Sequence, residues 1–362
     1  MKGKLTVMDL FCGAGGLSLG FKLAGYKVLL GLDADWDAIR TYMFNNPEAA
    51  WICKDIRKVT INEMLEAMSI ERGGVDLIIA GIPCEGYSLL NRRYDPSDPR
   101  NYLFAEFMRA VRGIKPKAVL IENVPGLSKR ENGGFRKAIE DALKGLGFSV
   151  FSFTLNAADY GVPQMRTRLF FVGISSGKEF APPKPTHGVS KSLESFIGTN
   201  DHANLKPYIT VRDAISDLPP LEAGEEKAEY ESAPSNEYQK LMRQGSTRLY
   251  NHKAPNHPLW TQKLIGKTKP GQPLYETFKQ RIRLKWDAPS PTIPAGGVRP
   301  QWFFAHPEQP RGITVREAAR LQSFPDNYVF QASLIKQRVL VGDAVPPLLS
   351  KAIAEKISDY LE

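Results

Sequence analysis

The chain has 362 residues, of which 42% are hydrophobic and 24% are charged. This composition excludes an intrinsically disordered protein and is sufficient for one large or two moderate folded domains. The formal net charge of +9 is compatible with a nucleic-acid partner because Lys and Arg neutralise phosphates, although it also fits simple solubility.

The cysteines and histidines argue against a disulfide framework and against a metal site. Cys12, Cys53 and Cys84 form no Cys-x-x-Cys pair, and the five histidines lack a metal-ligand spacing. Asp9 interrupts the apolar run at the N-terminus, which argues against a signal peptide, and no run reaches the ~20 apolar residues of a membrane span. We therefore expect a soluble, cytoplasmic protein without a metal.

The first half of the chain alternates short aliphatic runs with helical patterns. The predicted strands are KLTVMDL, KVLLGLD, VDLIIAG, KAVLIENV, SVFSFTLNA and RLFFVGIS, and the predicted helices are GLSLGFKLAG, DWDAIRTYMFNN, YLFAEFMRAVRGI and GFRKAIEDALKGLG. Strands that alternate with helices predict an α/β fold with a doubly wound, mostly parallel sheet. Ligands of such sheets bind outside the carboxyl ends of the strands.

The composition changes after about Gly173. From APPKPTHGVS to GGVRPQWFF the chain is rich in Pro, Lys, Arg, Gln and Trp and shows little periodicity, which predicts a second, smaller, irregular domain. Helical patterns return in TVREAARLQSF and PPLLSKAIAEKISDYL, whose apolar faces need a partner. We predict a first domain at 1–174, a second at 175–312, and C-terminal helices at 313–362 that pack back on the first domain.

Glycines follow the first predicted strand in DLFCGAGGLSLG. Glycines in a strand-to-helix turn let backbone N–H groups approach a ligand, and a helix N-terminus favours negative charge. Ser18 stands where a dinucleotide fingerprint has its third glycine, which disfavours a dinucleotide oxidoreductase, and Asp33 follows Gly13 by 20 residues. This pattern predicts a nucleoside-containing cofactor, with a structural turn and a capping aspartate as the alternative.

A cysteine follows the strand VDLIIAG in the segment GIPCEGYS. Pro83 fixes the backbone angle before Cys84, and Gly86 lets the chain turn after it. A thiolate in such a loop is a candidate nucleophile for covalent catalysis.

Six segments in series carry a family resemblance. They are DLFCGAGGLSLGF, GIPCEGYS, IENVPG, NAADYGVPQMRTRLFFVG, TVREAARLQSFPD and VGDAVPPLLSKAIA. Together they resemble the motif set of DNA (cytosine-5)-methyltransferases of the prokaryotic restriction–modification type, over about residues 5–174 and 311–355. The resemblance implies a sheet domain that binds S-adenosyl-L-methionine (SAM), a small target-recognition domain, and DNA in the cleft between them. The implied reaction methylates C5 of a flipped-out cytosine in a specific short duplex sequence.

The resemblance also implies a SAM site. Its residues would be Phe11, Gly13, Gly15, Gly16, Asp33, Asp55, Pro83, Leu103 and Val345. Asp33 would hold the ribose, Asp55 would face the adenine amino group, and Val345 would lie near the methionine end. The family often has a large aromatic residue after the ribose-binding acid. Here that position is Ala34, so adenine stacking is weaker or is supplied elsewhere.

Cys84, Glu122, Arg166 and Arg168 are the implied catalytic residues. Cys84 would add to C6 of cytosine, and Glu122 would donate a proton to N3. The arginines alternate along QMRTR, which places them on one face if the segment is a strand. Arg168 could then bond the base carbonyl or orient Glu122, and Arg166 could contact a phosphate or keep Cys84 ionised.

The implied DNA contacts fall in two segments. They are Ser88, Arg92 and Arg93 in the polar, basic segment after Cys84, and Arg283 and Thr292 in the second domain, where Arg281, Lys285, Arg299 and Trp302 are further candidates. Three further residues depart from the family pattern. Ile82 and Glu85 replace the first Pro and the Gln of a motif that usually reads Pro-Pro-Cys-Gln, and Asp343 replaces the usual Asn near the C-terminus.

Two alternatives stay open. A tRNA cytosine-5 methyltransferase of the same branch would carry Phe-Thr after its catalytic motif, where this chain has Tyr87-Ser88. An inactive DNA-binding protein on the same fold would lose Cys84 or the SAM loop, and both are intact.

We expect a monomer that acts on double-stranded DNA, associates with the nucleoid when bound, and contacts no membrane. A separate restriction endonuclease is an open partner.

Overall fold

The computed structural model describes residues 3–82, 102–125, 134–188, 205–294 and 304–361, and it forms two compact units. Unit 1 comprises Met1–Asn156, Thr167–Lys184 and Leu349–Glu362, and unit 2 comprises Ala157–Arg166 and Pro185–Leu348. The predicted C-terminal segment, 313–362, is therefore divided between the two units. The functional roles assigned to the predicted domains stay predictions.

The elements of the described residues follow in chain order. The strands are β1 (Thr6–Leu10), β2 (Lys27–Asp33), β3 (Ala50–Cys53), β4 (Leu77–Gly81), β5 (Ala118–Asn123), β6 (Ser149–Asn156), β7 (Gln164–Met165), β8 (Thr167–Ile174), β9 (His187–Gly188), β10 (Lys206–Pro207) and β11 (Ser290–Pro291). The helices are α1 (Gly16–Leu23), α2 (Trp36–Asn45), α3 (Ile61–Met68), α4 (Tyr102–Ile114), α5 (Gly134–Lys144), α6 (Val211–Ile215), α7 (Glu237–Arg243), α8 (Leu259–Lys267), α9 (Val315–Leu321), α10 (Leu334–Asp343) and α11 (Pro347–Leu361).

Unit 1 is built on a seven-stranded sheet of order β3-β2-β1-β4-β5-β8-β6. The first five strands in this order are parallel, whereas β8 runs antiparallel to both β5 and β6. The predicted α/β fold with a doubly wound, mostly parallel sheet is confirmed. The strand order reverses between β1 and β4, so the carboxyl ends of these two strands flank the crevice where such sheets bind ligands.

One face of the sheet packs on a large apolar core. Alternate side chains of the strands, such as Leu10 and Ile78, pack against Met64 of α3 and Phe107 of α4. Burying a side chain as completely as Phe107 stabilises the fold by roughly 1.5–3 kcal/mol. On α11, Ser350 Oγ donates to the carbonyl of Leu17 at 2.8 Å, and Tyr26 Oη donates to the carbonyl of Ala354 at 3.2 Å. The end of the chain is thereby fastened to α1.

Unit 2 has shorter elements and depends on buried charge pairs. Arg311, Arg316 and Arg320 have 0–1% of their surface exposed. Arg320 Nε donates to Asp326 at 2.8 Å, and its guanidinium also pairs with Asp217. Buried guanidinium groups of this kind stabilise a fold only when most of their N–H groups have acceptors.

In the part of the chain that the structure describes, no helix is long and apolar enough to span a membrane.

Glu317 has two structural roles in unit 2. It closes a capping box at the start of α9 by accepting from the backbone N–H of Thr314 at 2.8 Å. Its carboxylate also accepts two bonds from Arg311, at 2.7 and 2.9 Å. Burial alone would raise the pKa of Glu317, but the Arg311 guanidinium outweighs this effect and holds the pKa well below its usual range.

We predict that Glu317→Gln destabilises the protein by about 3–5 kcal/mol at pH 7, because Arg311 is left buried without a counter-charge. The depressed pKa means that the stabilisation by Glu317 is complete above its unfolded pKa of about 4.3 and is lost as the pH falls through its folded pKa. Urea unfolding at several pH values measures both effects. Glu237→Gln, whose side chain is 90% exposed, is the control and should shift stability by less than ~0.5 kcal/mol. Equal stability of the two variants would contradict this interpretation.

Candidate active site

The loop between β1 and α1 has a backbone that requires glycine. Gly13 and Gly15 have φ values of 51° and 82°, in the left-handed region, and Phe11 shares this region at 58°. The N–H of Gly13 donates to Asp33 Oδ2 at 2.9 Å, so the loop is fastened to the end of β2. A Cβ on Gly13 would meet no atom within 4 Å, which leaves open space above the loop. Gly16 begins α1, so a helix N-terminus adjoins that space.

Two predicted cofactor carboxylates lie at the ends of β2 and β3. Asp33 also accepts from the N–H of Asp35 at 2.9 Å, and burial raises the pKa of Asp33 above its ordinary value. Asp55 caps the short 3-10 turn Ile56–Lys58, and Arg57 Nε donates to its two oxygens at 2.9 and 3.0 Å. The hydrogen bond from Arg57 lowers the pKa of Asp55, which keeps the carboxylate ionised as an acceptor.

The predicted apolar lining is only partly brought together. Phe11 and Leu103 both pack against the core of unit 1. Val345 is 5% exposed and belongs to unit 2, and Pro83 lies outside the described residues. An exposed aromatic side chain close to Ala34 is that of Trp36, whose ring meets Trp51 edge to face at 6.1 Å.

A buried polar contact beneath the loop was not predicted. Ser18 Oγ donates to Asp9 Oδ2 at 2.6 Å and lies 3.3 Å from the hydroxyl of Tyr42. A Cβ on Gly31 would come within 2.3 Å of the Tyr42 ring, so only glycine admits the ring there. Burial raises the pKa of Asp9 to about 7, although its bond from Ser18 opposes the shift. Ser18, which departs from the dinucleotide pattern, thus ties α1 to β1.

The ends of β4 and β5 are held together next to the predicted nucleophile. Gly81 pairs with Glu122 in the parallel ladder. Asn123 Nδ2 donates to the carbonyl of Ile82 at 3.3 Å, and Asn123 Oδ1 accepts from the N–H of Val124 at 2.7 Å. Asn123 therefore fixes the turn. The predicted site residues Pro83, Cys84, Ser88, Arg92 and Arg93 follow Ile82 in the chain and lie outside the described residues.

Glu122 and Arg168 form an ion pair at the carboxyl end of β5. Arg168 Nε lies 2.9 Å from Glu122 Oε1, and the two side chains are only 13% and 11% exposed. Arg168 also donates to the carbonyl of Thr167 at 2.8 Å, which fixes its guanidinium. A guanidinium held in this way can orient a carboxyl group towards a substrate at the end of the strand.

Arg166 is placed differently from the prediction. It is 1% exposed, and its guanidinium donates to the carbonyls of Ile293 at 3.0 Å and Gly342 at 2.8 Å within unit 2. This placement argues against the predicted contact between Arg166 and a phosphate, because these donors bind backbone carbonyls away from solvent. The predicted effect of Arg166 on Cys84 stays a prediction, since Cys84 lies outside the described residues.

Arg283 is also a structural residue. It is 8% exposed, and its guanidinium donates to five backbone carbonyls. The acceptors are Ile265, Gly266, Thr268, His306 and Glu308, at 2.6–3.3 Å. These bonds argue against the predicted contact of Arg283 with DNA. Thr292 is half-buried, and its hydroxyl donates to the carbonyl of Met165 at 2.7 Å.

Comparisons with known proteins agree with this arrangement. Residues 5–359 match the family model of the C-5 cytosine-specific DNA methylases. The chain is 38% identical to the Type II methyltransferase M.DdeI of Desulfomicrobium norvegicum, over 99% of this chain and 89% of the relative. It is 35% identical to the Type II methyltransferase M.AgeI of Thalassovita gelatinovora, over 98% and 99% of the two chains.

A solved structure from E. coli, described as a DNA modification methyltransferase encoded within a prophage, superposes with a TM-score of 0.78. It is 26% identical and covers 99% of both chains. The chain therefore belongs to the C-5 cytosine-specific DNA methylase family and is a DNA (cytosine-5)-methyltransferase.

Proposed function

We propose that the chain methylates a flipped-out cytosine in a specific short duplex sequence through a covalent bond between Cys84 and C6 of the base. The observation that carries this proposal is the ion pair between Glu122 and Arg168, which lies at the strand end next to the one that leads to Cys84. A carboxyl group and a thiol that leave adjacent parallel strands reach the same edge of the sheet, where a ligand of such a fold binds.

The chemistry requires both groups. C5 of cytosine is a weak carbon nucleophile, and addition of a thiolate at C6 converts the ring into an enamine that is nucleophilic at C5. Glu122 holds the proton for N3, which offsets the negative charge that develops on the ring as sulfur adds. Arg168 fixes the direction of the Glu122 carboxyl through the bond at 2.9 Å. Once C5 has accepted the methyl group, loss of the C5 proton to water releases the thiolate of Cys84 from C6, and the N3 proton returns to Glu122.

The residues of unit 1 fit a SAM molecule. Open space above Gly13, a helix N-terminus at Gly16 and the acceptor Asp33 suit the carboxylate and ribose of the cofactor. Phe11 and Leu103 provide apolar surface, and Asp55 provides an ionised acceptor for an amino group. SAM supplies an electrophilic methyl group on a sulfonium centre.

Double-stranded DNA is the proposed substrate. A stacked cytosine does not expose C6, so the base has to leave the helix at a cost of roughly a few kcal/mol. Ser88, Arg92 and Arg93 are the proposed contacts that stabilise the opened duplex, and Thr292 is a proposed contact near a phosphate. The relatives M.DdeI and M.AgeI are Type II methyltransferases, which supports a modification role beside a separate endonuclease. We propose that the enzyme acts in the cytoplasm, on nucleoid DNA.

We predict that Cys84→Ala abolishes methylation, because it removes the proposed nucleophile. The two cysteines of the described residues belong to other strands, since Cys12 follows β1 and Cys53 ends β3. Bisulfite sequencing of plasmid from cells that express either chain reports the methylated base and its sequence context together. The wild-type chain should protect one short sequence, and Cys84→Ala should protect none.

Two results would oppose this function. Wild-type protein that is folded and binds SAM but leaves plasmid unmethylated would contradict a DNA substrate, and transfer to tRNA under the same conditions would favour an RNA enzyme. Full activity of Cys84→Ala would contradict the covalent mechanism.

We predict different phenotypes for the two neighbouring arginines. Arg168→Ala should lower kcat by about 10²–10³, because it removes an orienting group from the reaction, and it should also lower the Tm, because Glu122 is left nearly buried without its partner. Arg166→Ala should destabilise the fold by about 1–3 kcal/mol, because it leaves buried carbonyls without a donor. Steady-state kinetics on plasmid DNA and thermal unfolding of both variants measure the two effects. Equal kcat values for Arg168→Ala and wild type would contradict the role of Arg168.

A further inference from the structure

The positive charge of the chain is concentrated in one segment of unit 2. Residues 259–286 contain seven Lys and Arg against one Glu, so +6 of the net +9 lies in 28 of the 362 residues. Among the described residues, no carboxylate pairs with Lys263, Lys267, Lys269, Lys279 or Arg281. Cations packed this densely repel one another, so the segment is best stabilised by a polyanion.

Part of this segment forms a hairpin, which we name the basic hairpin (residues 271–283). The N–H of Gly271 donates to the carbonyl of Arg283 at 2.6 Å, and that of Leu274 donates to Arg281 at 2.7 Å. Gly271 has a φ of 84°, in the left-handed region that favours glycine. The tip, residues 276–280, is exposed at every position.

The tip of the basic hairpin presents an aromatic ring beside a cation. Phe278 is 49% exposed, and its ring meets Tyr275 edge to face at 6.5 Å. The Arg281 guanidinium lies 5.1 Å from the centre of the Phe278 ring and 5.9 Å from that of Tyr275. Stacking of this kind fixes the plane of a guanidinium while its edge stays available to a phosphate.

The root of the basic hairpin is rigid. Leu274 packs with Ile265 and Ala305 in a small buried cluster. Arg283 binds carbonyls at the end of α8 and after Ala305, so it joins the root to both neighbouring segments. A rigid root presents the tip with little loss of conformational entropy on binding.

We propose that the basic hairpin is a DNA-contacting element, in which Phe278 at its tip packs against base edges in a groove, and Lys279 and the adjoining Arg281 contact the flanking phosphates. The inference rests on the proposed function, because it takes duplex DNA as the occupant. The net charge of +6 on residues 259–286 favours a polyanion as the binding partner over an apolar protein surface. The exposed ring supplies contact with bases, because apolar side chains contact or wedge between base steps whereas phosphates offer them no partner.

The test measures the affinity of the SAM-bound enzyme for a duplex that carries the sequence mapped by bisulfite sequencing, over a range of salt concentrations. Phe278→Ala should raise Kd about 10-fold without changing the salt dependence, because base contacts carry no counterion release. Lys279→Ala and Arg281→Ala should each reduce the slope of log Kd against log salt by about 0.9. Arg281→Lys should retain the slope. The KM for SAM should not change in any of these variants, and the Tm should not change for Phe278→Ala or Lys279→Ala, because both side chains are exposed.

The control variants are Phe44→Ala, which removes an aromatic side chain that is 54% exposed on α2, and Lys240→Ala, which removes an exposed cation on α7. Both should bind DNA as the wild type does. Wild-type Kd and salt slope in all tip variants, with an active wild-type enzyme, would overturn this inference alone. A wild-type chain that neither binds nor methylates duplex DNA would overturn the proposed function as well. Tip variants that lose only tRNA binding would assign the hairpin to RNA.

Discussion

The antiparallel return of β8 along β5 is the constraint on which the catalytic arrangement depends. In this ladder Glu122 lies opposite Phe170, and the diagonal neighbour two residues earlier on β8 is Arg168. Diagonal neighbours across two strands are within reach of long side chains, so the register itself brings the guanidinium to the carboxylate. Without Arg168, desolvation of the nearly buried Glu122 carboxylate would strongly destabilise the folded state. The remaining parallel strands then deliver the glycine loop and the segment before Cys84 to the same sheet edge.

Two pairs of arginines show that surroundings, and not residue type, decide what a guanidinium does. Arg166 and Arg168 are two residues apart, as are Arg281 and Arg283. Arg166 and Arg283 donate hydrogen bonds to backbone carbonyls. Arg168 instead pairs with a carboxylate, and Arg281 packs against an aromatic ring. A buried arginine that satisfies carbonyls acts as a cross-link between segments, and its loss would show as lost stability.

Much of the sheet was predictable, because its strands are aliphatic runs bounded by turns. Every predicted strand and helix of the first half is present, whereas β3 and α3 were not predicted. The strand AWIC is only four residues long. The alternation in QMRTR predicted one face for both arginines, but β7 ends at Met165 and β8 begins at Thr167, so the strand is interrupted at Arg166. The contact between Asp9 and Ser18 depends on how α1 packs on β1, which no local pattern records.

In unit 2 the root of the basic hairpin is fixed by buried contacts, whereas the side chains of its exposed tip can be exchanged. Its apolar cluster at Ile265, Leu274 and Ala305 is small, and Arg283 adds five carbonyl bonds at that place. Because these bonds use backbone acceptors, they do not depend on the side chains of the exposed tip at residues 276–280. Substitution at the tip therefore changes the surface offered to a partner without a matching loss of stability. Under the proposed role of the basic hairpin in contacting DNA, a few substitutions of exposed side chains would change the recognition sequence while the root of the hairpin and the catalytic sheet remain unchanged.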